Sequence, residues 1–343
     1  MSSASVSGRQ AAVASALDWF DSGGFASELA RRVAYRTESQ RTDSAAALQA
    51  YLDDEISPSL ARLGFTSRIL ANPAGGGPFL IAERIEDRAL PTVLTYGHGD
   101  VVLGYDAQWR EGLSPWTLTR EGDRWYGRGT ADNKGQHSIN FAALERVLAA
   151  RGRLGFNVKV LLETGEEMGS PGLRETCERE AAALAADVLV ASDGPRLRAE
   201  QPTLFLGSRG AFNFDLSVDL RAGGHHSGNW GGLLANPGTI LASAIACLVD
   251  AKGRILVEGL RPPPIPPSVR EALAQIVPGE PGGPEIDAQW GEPGLTPAER
   301  VFAWNALEVL AFVTGNPQHP VNAIPPASSR SCARTLTRTA SRW

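Results

Sequence analysis

Four short runs rich in Val, Leu and Ile do most to restrict what this chain can fold into: "PFLIAERI", "PTVLTY", "FNVKVLLET" and "DVLVA". Each has the length of a buried strand and none could span a bilayer. Helical patterns, "KGQHSINFAALERVLAAR" and "PGLRETCEREAAALAA", separate three of them. Strands alternating with helices predict an α/β layer built on a largely parallel sheet.

Three of these strands run straight into polar clusters. "TVLTY" ends at Gly97-His98-Gly99-Asp100, "FNVKVLLET" at Gly165-Glu166-Glu167, and "DVLVA" at Ser192-Asp193-Gly194. Ligands of open parallel sheets gather beyond the carboxyl ends of the strands, so these clusters should converge on one crevice. Asp132, on the Gly-rich "YGRGTADNKG" just before a helix, is a fourth contributor. One imidazole among several carboxylates suits a hard or borderline divalent ion such as zinc, and makes His98 a candidate ligand. Taken singly, each residue has a simpler explanation: a hydrogen-bonded loop histidine, a solvated Glu pair, an Asp capping a helix. Those explanations leave out why every cluster sits where strands of one sheet end.

The spacings fit the same chemistry. His98 and Asp100 are two apart and share a face in extended backbone. Asp100 can therefore accept from the far ring nitrogen of a metal-bound imidazole and fix its tautomer. Glu166 and Glu167 are adjacent and point different ways, so one can ligate while the other holds the water of a two-metal site.

The rest of the chain is read more coarsely. Residues 1–65 carry helical apolar spacing in "RQAAVASALDWFDSGGFASELARRVAYRT" and "SAAALQAYLDDEISPSLARLGF". From about Leu206 the texture changes. "GAFNFDLSVDLRAG" alternates like a half-exposed antiparallel strand, and helical patterns follow at "NPGTILASAIACLVDAKGRI", "SVREALAQIV" and "PAERVFAWNALEVL". With 343 residues and 43% hydrophobic content, two domains are expected, the second of α+β type. A net charge of −5 speaks against nucleic-acid and membrane-surface roles. Cys177, Cys247 and Cys332 are odd in number and lack CxxC spacing, so neither a disulfide framework nor a thiolate metal site is expected. The first twenty residues lack a signal-peptide pattern, which predicts a cytoplasmic protein.

In this order the segments "GHGDVV", "WYGRGTADNKG", "ETGEEMGSPGL", "ASDG" and "GSRGAFNFDLSVDLRAGGHHSGNWGGLLANP" resemble the M20 dinuclear zinc peptidases and deacylases. Within that family the carnosinase-like dipeptidases look closest, over about Pro91 to Arg261. The resemblance implies a zinc-peptidase catalytic domain with a mainly parallel, helix-flanked central sheet over 1–206. It also implies an inserted α+β lid and dimerisation domain over 207–327. It implies two divalent ions, zinc first, with cobalt or manganese able to use the same ligands. His98 and Asp193 would hold one ion, Glu167 the other, and Asp132 would bridge them. Glu166 would be the general base and Asp100 the partner of His98. The Asp132–Asn133 peptide bond would be cis. His226, rather than His225, would reach from the lid into the site of a second subunit and stabilise the developing oxyanion. His137 and His319 are not ligands in this reading. The implied reaction is hydrolysis of an amide in a dipeptide or short peptide. A deacylase of N-acylated amino acids is the alternative, and a truncated, inactive chain that still dimerises is another.

The chain departs from the family pattern at its end. The family resumes its catalytic domain after the lid and supplies a last His ligand there. A carboxylate-binding Arg is expected on the final lid strand. Here "SSRSCARTLTRTASRW" follows Ala327, without an acid or an apolar alternation. Lys occurs only at 134, 159 and 252, while Arg is abundant, as in a GC-rich gene. The expectation is a frameshift near Ala327, with 328–343 an out-of-frame or disordered tail. A nucleotide-binding reading of "GRGTADNKG" fails, because the third glycine of G-x-G-x-x-G and the G-K-[ST] of a P-loop are both missing.

Overall fold

The computed structural model describes residues 3–194, 196, 200, 202–205, 210–279, 283–316 and 318–336. Two compact units divide the chain, Met1–Gly194 and Pro195–Trp343. The boundary expected near 206 falls on residues outside the described set.

The first unit is organised by a five-stranded sheet. Its strands are β1 (Thr66–Leu70), β2 (Phe79–Arg84), β3 (Thr92–His98), β6 (Asn157–Glu163) and β7 (Val188–Ala191). Between β3 and β6 the chain makes a small hairpin of β4 (Thr119–Glu121) and β5 (Arg124–Tyr126). The sheet order is β1-β2-β6-β3-β7. β3 runs parallel to both β6 and β7, but β1–β2 and β2–β6 are antiparallel. The sheet is therefore mixed rather than mainly parallel. The Gly-rich link "ANPAGGGP" between β1 and β2 is too short for a crossover and can join only antiparallel neighbours.

The parallel half positions the site. From β3 the chain crosses through the helix Lys134–Arg151 to β6 on one side. It then returns through Leu173–Arg179 and Ala181–Leu184 to β7 on the other side of β3. The ends of β3, β6 and β7 thus flank a point where the direction of winding reverses, which is where open α/β sheets leave a crevice. Both faces of the sheet are covered over β2 and β6, whereas the edge strand β7 is exposed. Leu80, Ala82, Val158, Val160 and Leu162 pack with Tyr51, Leu52, Ile56, Leu60 and Phe141. Phe79, Ile81 and Leu161 pack with Leu184 on the opposite face. This is the period-two division of a doubly covered sheet, and each fully buried large side chain contributes about 1.5–3 kcal/mol.

The helical N-terminal region is as expected, with one irregularity. Tyr51–Ile56 forms a π turn between Ala45–Ala50 and Ser57–Arg62. Pro58, lacking an N–H, falls just after this π turn, in backbone that stays helical through Ile56 and Ser57.

The second unit holds β8 (Gly210–Asp219), β9 (His225–His226), β10 (Ala306–Val309), β11 (Val313–Thr314), β12 (Ala323–Ile324) and β13 (Ala327–Leu336). The helix Pro237–Leu248 is capped by Asn236, whose Oδ1 accepts from the N–H groups of Gly238 and Thr239. Two sequence expectations are corrected here. The helix predicted over "PAERVFAWNALEVL" ends at Phe302, and Ala306–Val309 pairs as a strand with β13. The segment after Ala327 is not devoid of strand: β13 pairs antiparallel with β8 over ten residues, Ala327 opposite Asp219 and Leu336 opposite Gly210. Ladder hydrogen bonds come from the backbone, so an Arg/Ser/Thr sequence without apolar alternation can still complete a sheet beside a long partner strand. Residues 337–343 of the expected tail lie outside the described set.

Candidate metal centre

β3 becomes fully buried at its end, Gly97 and His98, and the His98 side chain has no solvent exposure. The flanking glycines are there for space. A Cβ on Gly97 would come within 2.8 Å of Asn133 Oδ1, and one on Gly99 within 2.6 Å of the Tyr51 ring. The strand end can reach its neighbours only because those side chains are missing.

Around the imidazole the expected carboxylates converge. His98 Nε2 lies 2.8 Å from Asp132 Oδ1, 3.8 Å from Asp193 Oδ1 and 3.9 Å from Glu166 Oε2. On the other ring nitrogen, Nδ1 is 3.0 Å from the Asp100 carbonyl oxygen and 3.3 Å from Asp100 Oδ1. Two overlapping groups of potential ligands result. His98, Asp132 and Glu167 form one, and His98, Glu166 and Asp193 the other, each with its donor atoms within 4.8 Å of one another. Six of the seven residues singled out from the sequence are therefore brought together: His98, Asp100, Asp132, Glu166, Glu167 and Asp193. The seventh, His226, belongs to the second unit. It ends the short strand β9, paired with Ala323, and its Nδ1 accepts from the Gly228 N–H at 3.1 Å. His319 is exposed in the same unit. His137 is buried and accepts or donates at 2.7 Å to the Tyr51 hydroxyl.

Charge crowding shows in the titration behaviour. Burial pushes the Glu166, Glu167 and Asp193 carboxyls up, neighbouring carboxylates add to the shift, and His98 opposes it. Asp132 is held below its ordinary value by its hydrogen bond with His98. Burial alone would lower His98, but Asp100 and Asp132 on its two nitrogens reverse this and push it up to about 11. A site that gathers this many carboxylates around one imidazole is organised for cations. The donors are nitrogen and oxygen without thiolate, and their positions fit two divalent ions, zinc foremost.

Several supporting contacts escape sequence reasoning. Asp100, fully buried, does more than face His98: Oδ1 accepts from the Glu166 N–H at 3.2 Å and Oδ2 from the Glu167 N–H at 3.1 Å. One carboxylate thus ties the end of β3 to the Glu166–Met168 turn. Asn133 ties the other ends. Its Oδ1 accepts from the His98 N–H at 3.2 Å, and its Nδ2 donates to the Ser192 carbonyl at 2.6 Å and to Asp193 Oδ1 at 3.3 Å. The Asp132–Asn133 peptide bond is cis. Glu163, the last residue of β6, is buried with its carboxyl pushed up by burial, and its Oε1 accepts from the Tyr96 hydroxyl at 2.5 Å and Ser170 Oγ at 2.9 Å. The signal for Glu163 was available in the sequence, since it is the only acid inside an otherwise apolar strand end.

The peptidase family M20/M25/M40 model matches residues 94–340. Beta-Ala-His dipeptidase of Rattus norvegicus is 38% identical over 187 residues, which is 53% of this chain and 37% of that protein. Cysteinylglycine-S-conjugate dipeptidase of Corynebacterium striatum is 35% identical over 172 residues, 50% of this chain and 37% of that protein. The matched stretch therefore spans little more than a third of the length of these relatives. Among solved structures, the M20 family metallo-carboxypeptidase Sso-CP2 of Sulfolobus solfataricus superposes with a TM-score of 0.74 at 26% identity, covering 91% of this chain and 71% of that one. With the matched segment containing every convergent carboxylate described above, the chain belongs to peptidase family M20/M25/M40.

Proposed function

We propose that the chain hydrolyses the amide bond of dipeptides or short peptides at a dinuclear metal centre. The observation that carries this reading is the pair of ligand groups overlapping at His98. An imidazole nitrogen has one lone pair and can serve one ion, whereas a carboxylate has two oxygens and can bridge. Following the family resemblance, His98 and Asp193 are assigned to the first ion, Glu167 to the second, and Asp132 to both. The same resemblance assigns Glu166, 3.9 Å from His98 Nε2, as the base rather than as a ligand.

When bound, two zinc ions polarise the carbonyl and lower the pKa of a water from about 15.7 towards 7. Glu166 takes the proton from the attacking water as the C–O bond forms. It then delivers that proton to the amine nitrogen as the C–N bond breaks. Asp100 keeps the Glu166 backbone in place and orients His98.

The dipeptide substrate follows from the names of the two relatives, Beta-Ala-His dipeptidase and Cysteinylglycine-S-conjugate dipeptidase. The second unit is assigned as the lid and dimerisation domain, with its boundary near 206 as read from the sequence. His226 is assigned as the residue that a lid offers to the site of the other subunit in a homodimer. A cytoplasmic setting goes with this reading, as do the free thiols of Cys177 and Cys247. Among the described residues no helix is long and apolar enough to cross a membrane.

The test is turnover by the zinc-reconstituted chain on dipeptides and on N-acetyl amino acids, each with Glu166→Gln as control. Dipeptide cleavage that falls by about 10²–10⁴-fold in the variant supports the reading. Preference for the acetylated substrates would make the chain a deacylase. Dimers without turnover on either substrate would make it the inactive chain.

A further inference from the structure

Among the described arginines of the first unit that are withdrawn from solvent, one has no anion. Arg128 lies in the "GRG" of the loop that leads to Asp132, and it is half-buried. Its Nε is buried without a hydrogen-bond partner, and among the described residues no carboxylate lies within ion-pair distance of its guanidinium. The other arginines of this unit that are not exposed each face a carboxylate. Arg32 pairs with Glu28 and Glu55, Arg84 with Glu86, and Arg146 with Glu145. A guanidinium withdrawn from water normally needs such a partner.

Arg128 is nonetheless held in place. Its guanidinium carbon sits 5.8 Å from the centroid of the Trp109 ring, and Trp109 is fixed by Nε1 donating to the Gly104 carbonyl at 2.7 Å. Its backbone N–H donates to the Pro115 carbonyl at 2.7 Å. Arg128 belongs to the wall of a cleft of about 280 Å³ that also includes Val102, Thr130, Asp132 and Glu167. The cleft therefore joins an unpaired cation to two of the carboxylates assigned above to the metal pair.

We propose that Arg128 and this cleft form a subsite for a carboxylate carried by the substrate. The planar fork of a guanidinium matches a carboxylate bidentately, and the place of Arg128 over the Trp109 ring restricts the fork before the ligand arrives. A cation here also offsets the field of the surrounding acids, which would otherwise repel an anionic substrate from that side. The carboxylate could be the C-terminus of a peptide or an acidic side chain. The proposal rests on the peptidase reading only for the kind of molecule that carries the carboxylate.

The test is equilibrium binding by calorimetry to the zinc-loaded Glu166→Gln chain, in which turnover is suppressed. The probes are glycylglycine, glycylglycinamide and aspartyl-glycinamide. Adding Arg128→Gln should weaken the anionic probe by about tenfold and leave glycylglycinamide within about twofold, with Arg128→Lys in between. Loss for glycylglycine assigns the subsite to the C-terminus, and loss for aspartyl-glycinamide assigns it to the side chain. Equal weakening of all three, no change in any, or no binding of any probe before Arg128 is altered would overturn the proposal. If the chain takes up no zinc, the metal reading fails separately. The same titration on the metal-free chain then decides whether an Arg128-dependent preference for the anionic probes exists.

Discussion

Replacing Asp100 by asparagine changes the shape of the site hardly at all and removes one charge from its most heavily used carboxylate. In the native chain that group accepts two backbone N–H bonds, from Glu166 at 3.2 Å and Glu167 at 3.1 Å, and lies 3.3 Å from His98 Nδ1. Hydrogen bonds to charged groups are worth about 1.5–3 kcal/mol each. An asparagine can accept one of the two N–H groups, but its NH₂ must then face the other. One bond falls to neutral strength, about 0.5–1.5 kcal/mol, and one buried N–H is left unsatisfied at about 1–3 kcal/mol. The expected destabilisation of the first unit is about 2–4 kcal/mol, a fall of roughly 5–15 °C in its melting temperature. Zinc affinity should drop as well, since the Glu167 turn loosens and His98 loses a charged partner. Removing such outer partners costs about 10–100-fold in metal affinity. Here the lower end is expected, because the Asp100 carbonyl, 3.0 Å from Nδ1, still fixes the ring. Competition against a chromophoric zinc chelator gives the affinity and circular dichroism the melting curve. Zinc affinity within twofold of the native chain, with an unchanged melting temperature, would refute the role given to Asp100.

Asn133→Ala should orphan the buried His98 N–H and release Asp193, lowering stability by about 1–3 kcal/mol and weakening zinc binding in the same competition assay. Tyr51→Phe, at the far end of the same network, should cost about 1 kcal/mol in a melt and leave zinc affinity unchanged. The metal-free chain should lose stability as pH rises. His98 is pushed from 6.5 to about 11, so the folded state holds a proton that the unfolded chain releases, and its contribution is full below about 6.5 and lost as pH rises through 11. The raised Glu166, Glu167 and Asp193 act in the same direction at lower pH, since they too bind protons more tightly in the folded state. Zinc should reverse the trend by displacing those protons, and melts with and without zinc across the pH range check both statements.

How far the sequence carried depends on whether the signal was local. The strand ends at His98 and Glu166 were legible because buried strands are continuous apolar runs, and a polar residue at their ends stands out; β7, which leads to Asp193, is as apolar but exposed, against the expectation of a buried strand. The helix Lys134–Arg151 was legible to the residue for a similar reason, with Gly152 closing it in a left-handed conformation. Strand direction was not legible. β2 looks like any other apolar run, and only its partners make it antiparallel. β13 left still less trace, because its pairing with β8 rests on backbone groups that every sequence possesses. The same limit applies within the site. His98 and Asp100 announce themselves by spacing, but the Asp100 bonds to Glu166 and Glu167 join residues 66 and 67 positions apart. The Asn133 bond to Asp193, across 60 positions, is equally invisible in one dimension.

The central claim is that this unit binds two metal ions on ligands that meet at the ends of β3, β6 and β7. The direct measurement is zinc per chain after reconstitution and removal of loosely held ions, by elemental analysis alongside protein quantitation. Two ions per chain are predicted, the one on His98, Asp193 and Asp132 held more tightly than the one on Glu167 and Asp132, and Glu167→Gln should remove only the weaker. A single ion that survives Glu167→Gln unchanged, or none at all, would contradict the dinuclear account.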